Sequence, residues 1–463
     1  MNILAFSIII YLIGSLLIGY WASLRVKTSG DFLLAGRNLP LFLSSFALFA
    51  TWFGAETIFG ATSEFMDKGL IGVIEDPFGG ALCFSLYGLF FAKPLYRLNI
   101  LTLSDLFKLK FGKKVEFMSA IFLVPSYFGY VAAQLVALSF VLHLIFPVTI
   151  FQGIIIGSVL ATFYTLLGGM WSISVTDFVQ SLVIIVGLLI VSISLFFDIK
   201  DLDISSQLIT KSLQFFPNPN SEIKWSSWLA AWAVLGLGSI PSQDIFQRTM
   251  SSKSENVARN SCFYGAGLYL IFAMLPLFIG FCIKVLDFPV GDDLQLGLPK
   301  LILDRMPVAV QIMFFGALIS AILSTVSAAI LAPASIIAEN LIKPNIKKSI
   351  SDRKLLMYSR ISVLFVALVS SVLANFENNI FQLVAQSSII SMVTLLAPMW
   401  AAIYAKNKSE LSMIVAMLIG FLSWICLEYI FEITFPSFII ATLLSFLTVI
   451  FFDRILISKN LVG

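Results

Sequence analysis

Apolar runs of about 20 residues recur along the whole chain, separated by short polar connections. A helix of that length, rising 1.5 Å per residue, crosses a hydrocarbon core about 30 Å thick. Barrel strands would be about half as long and would alternate polar with apolar, which these runs do not. The pattern predicts an all-α membrane protein of about thirteen spans: 3–23, 40–65, 70–92, 118–146, 149–170, 177–197, 226–246, 257–285, 306–336, 355–375, 380–404, 409–431 and 434–452. The connections are too short to hold a soluble domain, so residues 1–463 are expected to form one transmembrane domain.

Two spans contain residues that a lipid-facing helix avoids. The middle of span 2 holds Gly54, Glu56 and Gly60 beside Ala50 and Thr51, and span 7 holds Gly236, Gly238, Ser239 and Pro241. Both are expected to unwind, although glycine and proline also occur in intact membrane helices. The breaks are five spans apart, and an odd number of crossings inverts the second copy. That spacing predicts two inverted five-helix repeats, at about 40–197 and 226–404, with 3–23, 409–431 and 434–452 peripheral. Broken helices at matching positions of inverted repeats frame a substrate and ion site near the bilayer midplane. The solute is expected beside these breaks, near Glu56, Gly236 and Gly238.

Span 9 carries Ala321, Ser324 and Thr325 at i, i+3 and i+4, hence on one helical face. Two hydroxyls and a carbonyl can supply half the shell of a sodium ion. The same stripe of small, hydroxylated residues also serves to pack helices together.

Composition sharpens the membrane assignment. The chain is 59% hydrophobic and 12% charged, where a soluble chain carries roughly 25% charged residues. Its net charge of +3 is too small to suggest nucleic acid. Of the 29 lysines and arginines, all but Lys68, Lys200, Lys211, Lys224, Lys284, Lys300 and Arg305 fall on alternate connections. The positive-inside rule then puts the N-terminus outside and the C-terminus in the cytoplasm, in a cell's inner membrane. Arg25 and Lys27 follow the first apolar run and no basic residue precedes it, so that run is expected to stay as a helix.

No basic residue is expected deep inside a span, but Glu56, Glu64, Glu75, Asp76, Asp177 and Asp244 are. A charge at the helix centre costs roughly 2.5–3.5 kcal/mol on insertion scales. Such acids must be protonated, hydrogen-bonded, facing water, or waiting for a cation that arrives as cargo. The four cysteines lack disulfide or metal spacing and read as small core residues. His143, the single histidine, fits interfacial packing better than a proton relay. No zinc-protease, P-loop or nucleophile-elbow pattern occurs, so the chain is not expected to be an enzyme or to need a cofactor.

These residues sit within longer stretches that resemble the sodium:solute symporter family, which includes proline, pantothenate, sugar and choline carriers. The likeness runs from Ala35-Gly-Arg37 to span 11 and is strongest over Tyr164–Gln180, with Thr176-Asp177-Phe-Val-Gln180 inside it. Ala50-Thr-Trp-Phe-Gly54 and Gly88–Pro94 look most like the branch of high-affinity choline carriers and unassigned bacterial relatives. The resemblance implies a LeuT-like fold with discontinuous helices. It implies sodium ligation by the carbonyls of Ala50, Phe53 and Ala321 and the hydroxyls of Ser324 and Thr325, with Asp177 on the ion's inward exit. Proline carriers place an aspartate two residues after the sodium-binding alanine, where this chain has Trp52. Trp52 and Glu56 are therefore candidates for reading the solute.

The expected function is sodium-coupled import of a small organic solute by alternating access. Glu56 beside Trp52, Phe53 and Phe59 suits an amine or quaternary ammonium group through ion pairing and cation–π contact; Glu56 can equally be a protonated, hydrogen-bonded helix linker. A proton-coupled carrier of the same fold and a non-transporting solute sensor are the alternatives. The expected partners are the solute, Na⁺ and the lipid bilayer.

Overall fold

The computed structural model describes residues 3–24, 29–219, 223–346, 352–406 and 408–460. Arg25, Lys27, Lys347 and Lys348, counted above on cytoplasmic connections, lie outside the described residues. Nine helices among the described residues are long and apolar enough to cross a membrane. Ile150–Leu166 and Ser437–Asp453 are shorter apolar helices. Spans 2 and 7 belong to neither group because each is interrupted.

Span 2 runs as a helix over Leu41–Phe49, turns over residues 50–54, and resumes as a wide π-type turn over Glu56–Ala61 and a helix over Thr62–Lys68. Span 7 runs over Trp225–Gly238, turns over residues 239–242, and resumes at Gln243–Met250. Both breaks fall where glycine, proline and small polar residues weaken the helical ladder.

Spans 5 and 6 differ from the expected arrangement. Residues 171–176, expected as a connection, are helical, and the only non-helical residue between Ile150 and Ile199 is Gly169 with φ 56°. Tyr164 Oη nevertheless donates to Thr176 Oγ1 at 2.8 Å. Twelve residues of straight helix would separate them by about 18 Å, so the chain folds back at Gly169, where glycine accepts a positive φ.

Span 9 is the axis of the bundle. Every residue from Phe314 to Ile336 is buried, and small side chains let neighbours approach closely. The outer helices instead present apolar side chains such as Phe6, Leu17 and Leu422 outward, as lipid contact requires. At one end of the bundle, Leu39 N donates to Ser251 O at 3.0 Å and Lys253 N donates to Leu39 O at 2.9 Å. Tyr96 Oη adds a bond to Ser252 O at 2.9 Å. The two broken helices are therefore fastened at the same end. The cysteines are free, three of them buried. His143 is exposed, with Nδ1 2.6 Å from Val148 O at the turn after its helix.

Candidate functional site

The break in span 2 has a specific consequence for its backbone. In a continuing helix the Gly54 N–H would pair with the Ala50 carbonyl; here it donates to Trp52 O at 2.9 Å. The Ala50 carbonyl accepts instead from Thr325 Oγ1 of span 9, at 3.2 Å. Next to it, Ser324 Oγ donates to Asp177 Oδ1 at 2.6 Å and lies 3.4 Å from Thr176 Oγ1. Ala50, Phe53, Asp177, Ala321, Ser324 and Thr325 are all buried. The structure thus links spans 2, 6 and 9 through carbonyl, hydroxyl and carboxylate oxygens, the donor set that suits a hard cation.

The sequence expects no basic residue deep inside a span, yet Asp177 meets a buried one just past the expected end of span 7. Arg248, placed by the sequence on the connection after span 7, is buried at 1% exposure and its Nη2 lies 3.4 Å from Asp177 Oδ2. The resumed helix Gln243–Met250 carries it inward. Asp177 therefore has a built-in cation as well as a hydroxyl partner.

Between the two breaks lies a narrow cavity of about 30 Å³, lined by Trp52, Tyr127, Tyr130, Ser239, Asp244 and Ser387, among others. Trp52 is held by stacking on Phe84, with centroids 4.5 Å apart and planes 17° from parallel. Tyr127 Oη donates to Asp244 Oδ1 at 2.7 Å and accepts from Asp244 N at 2.9 Å. Tyr130 Oη donates to Thr51 O. A carboxylate and three aromatic rings thus face one small space.

Of the expected solute residues, only Trp52 lines this cavity. Glu56 is 1% exposed, and neither carboxylate oxygen has a hydrogen-bond partner among the described residues. Gly236 packs against the neighbouring helix, where an added Cβ would lie 3.1 Å from Leu82 and 3.4 Å from Gly79 O. A Cβ on Gly238 would lie 2.6 Å from Ser388 O, and the Gly238 carbonyl accepts from Ser391 Oγ. These two glycines let helices approach rather than face the cavity.

The remaining acids have their own environments. Glu64 pairs with Lys68 at 2.6 Å. Asp76 accepts from Tyr269 Oη and from Thr57 Oγ1, the latter at 3.2 Å. Sequence reasoning named Asp244 only as a buried acid and missed Tyr127, Tyr130 and Arg248. The i, i+4 spacing of Asp244 and Arg248 was the available clue, since it puts both charges on one face of a helix.

Residues 32–420 match the family model described as the sodium:solute symporter family. The chain is 27% identical to the high affinity choline transporter 1 of Homo sapiens over 430 residues, covering 87% of this chain and 73% of that protein. It is 25% identical to the high-affinity proline transporter of Bacillus subtilis (strain 168) over 383 residues, 79% of each chain. Among solved structures, a sodium-coupled sialic acid symporter in a substrate-bound outward-open state superposes with a TM-score of 0.81 at 20% identity, covering 97% of both chains. Mhp1, a nucleobase-cation-symport-1 family transporter, does so with a TM-score of 0.56 at 15% identity, covering 90% of this chain and 93% of that one.

Proposed function

The chain belongs to the sodium:solute symporter family, and from that premise we propose that it imports a small solute bearing an ammonium group, read by Trp52 and Asp244. As a member of that family it is a sodium-coupled symporter of a small solute, a multi-pass membrane protein and not an enzyme. The observation that carries the finer reading is the cavity where the Asp244 carboxylate faces the rings of Trp52, Tyr127 and Tyr130. A quaternary ammonium has no N–H to donate, so carboxylate charge and aromatic faces are what recognise it. Each cation–π contact contributes about 0.5–2 kcal/mol. The similarity to choline transporters supports the same solute class.

Sodium is the cargo that drives import. Its ligands are the carbonyls of Ala50, Phe53 and Ala321 and the hydroxyls of Ser324 and Thr325. The ion takes the place of the Thr325–Ala50 hydrogen bond and holds span 2 against span 9. Asp177 receives it on the inward path. The two inverted repeats then rock about the site, with the N-terminus outside and the C-terminus in the cytoplasm of the inner membrane. Each sodium charge moved contributes ~2.3 kcal/mol per 100 mV, enough for roughly a 50-fold solute gradient. Coupling requires that ion and solute favour the closed state together.

The test is uptake of labelled choline into proteoliposomes under inward sodium, lithium or N-methylglucamine gradients. The expected result is sodium-dependent uptake that falls more than about tenfold in Asp244→Asn, the loss of a charge-assisted contact of about 1.5–3 kcal/mol. Choline uptake indifferent to Asp244→Asn, or import of neutral solutes only, overturns the ammonium reading.

A further inference from the structure

We propose that a second organic-cation site lies at the outer mouth of the bundle, between Glu75 and Glu428, where it holds an incoming ammonium group before it reaches the cavity at Trp52. It shares the ammonium chemistry proposed above and the outside orientation of that end.

An open cavity of about 430 Å³ is lined by Glu75 of span 3, Val234 of span 7, Gln386 of span 11 and Trp424, Glu428 and Tyr429 of span 12, among others. Glu75 is only 8% exposed, and it has no hydrogen-bond or ion-pair partner among the described residues. Its neighbours are satisfied: Glu64 has Lys68, and Asp76 has Tyr269 and Thr57. Glu75 alone among these three acids has nothing to offset its burial except what enters the cavity, and an acid inside a membrane protein is costly unless paired. Across the cavity, Glu428 supplies a second carboxylate, held in place by the Ser437 hydroxyl.

The aromatic lining points to an organic cation rather than a metal ion. The Trp424 and Tyr429 rings lie 6.1 Å apart at 70°, which makes a corner of two π faces. A trimethylammonium group is weakly hydrated and broad, so it can contact both faces; a hydrated sodium ion keeps its water and gains little from either. Oxygen cages for sodium need several carbonyls or hydroxyls converging within bonding distance, and two carboxylates with two rings are a different donor set.

The position suits an entry site. Gln386 in this cavity is followed directly by Ser387 and Ser388, which line the cavity at Trp52. Val234 lies on span 7 shortly before its break, and Ser239 within the break lines the inner cavity. A cation leaving Glu75 therefore moves along the same two spans, 7 and 11, toward Asp244.

The probe is benzyltrimethylammonium, titrated onto the full-length protein in detergent and followed by tryptophan fluorescence. The titration is run in the Asp244→Asn background, so that the inner site does not contribute. A saturable, sodium-independent change is expected there. It should weaken about tenfold or more in Asp244→Asn/Glu75→Gln and disappear in Asp244→Asn/Trp424→Phe. Glu75→Asp keeps the charge and should retain affinity within about threefold, which keeps the test decisive should Glu75→Gln fold poorly. Binding unchanged by Glu75→Gln, or competed equally by potassium chloride, overturns the proposal. The inner-site reading fails separately, when Asp244→Asn leaves sodium-dependent choline uptake intact.

Discussion

The Asp177 carboxylate joins two elements at once: Arg248 Nη2 lies 3.4 Å from one oxygen, and the Ser324 hydroxyl donates to the other at 2.6 Å. Arg248 sits four residues after Asp244 on the resumed half of span 7, and Asp244 lines the cavity at Trp52. One short helix therefore touches the cavity with one charge and the span 6–span 9 cluster with the other. That arrangement gives a physical route by which the position of the broken helix is felt at both places.

Removing Arg248 leaves Asp177 buried without its cation. Breaking a buried pair by deleting one partner costs about 3–5 kcal/mol. Arg248→Ala is therefore expected to lose most of its folded yield, read by size-exclusion chromatography, whereas Asp177→Asn/Arg248→Gln should recover a substantial part. Equal yields for the single and double variants would count against the pair as a stabilising unit.

Ser324→Ala and Thr325→Ala should each raise the sodium concentration for half-maximal uptake by roughly tenfold, since one hydroxyl contact is worth about 1–1.5 kcal/mol. The solute's affinity at saturating sodium should change much less. Undiminished sodium dependence in Ser324→Ala/Thr325→Ala overturns the ion site itself.

Glu56 and Asp244 can be separated by substitution. Glu56 does not line the cavity and Asp244 does. Glu56→Gln should leave the KM for choline within about threefold of wild type, while Asp244→Asn raises it about tenfold or more. A large KM effect of Glu56→Gln with normal folding returns Glu56 to the role its sequence context suggested.

Gly238→Ala must push a Cβ to within 2.6 Å of Ser388 O, whereas Gly14 has nothing within 4 Å. Backbone atoms yield poorly, so Gly238→Ala is expected to cost about 1–3 kcal/mol and to lower Tm by several degrees. Gly14→Ala should be neutral or slightly stabilising, because alanine is the better helix former. Similar Tm values for both variants would remove the close-packing role of Gly238.

The Arg97–Glu255 pair is the contrasting case. Its shortest contact is 2.7 Å, but both side chains are substantially open to solvent, and the Arg97 guanidinium holds the Glu255 carboxyl below its ordinary range. Exposed pairs gain little over hydrated charges. Arg97→Ala should leave both Tm and uptake indistinguishable from wild type.

Much of the site was legible in the chain because it depends on local sequence. Gly54 and the residues around it weaken span 2 wherever that helix sits, and Ser239 and Pro241 do the same in span 7. The face shared by Ser324 and Thr325 follows from helical spacing alone. Arg248 was not legible, because a basic residue just past an apolar run reads as a loop residue until the chain is seen to turn back inward. The neighbours of Gly236 and Gly238 were not legible for a related reason: a missing side chain marks close approach, and only the tertiary structure says which element approaches.

By itself, then, the sequence determined the helical membrane architecture, the two breaks and the oxygen-bearing face of span 9, all properties of period and composition within one segment. Tertiary structure decided which acids share a space with which partners: Asp177 with Arg248, Asp244 with Tyr127, and Glu75 with the aromatic corner of span 12. Those pairings join residues dozens to hundreds of positions apart. Helix packing sets them, and packing depends on the shapes of both surfaces rather than on the pattern along either one.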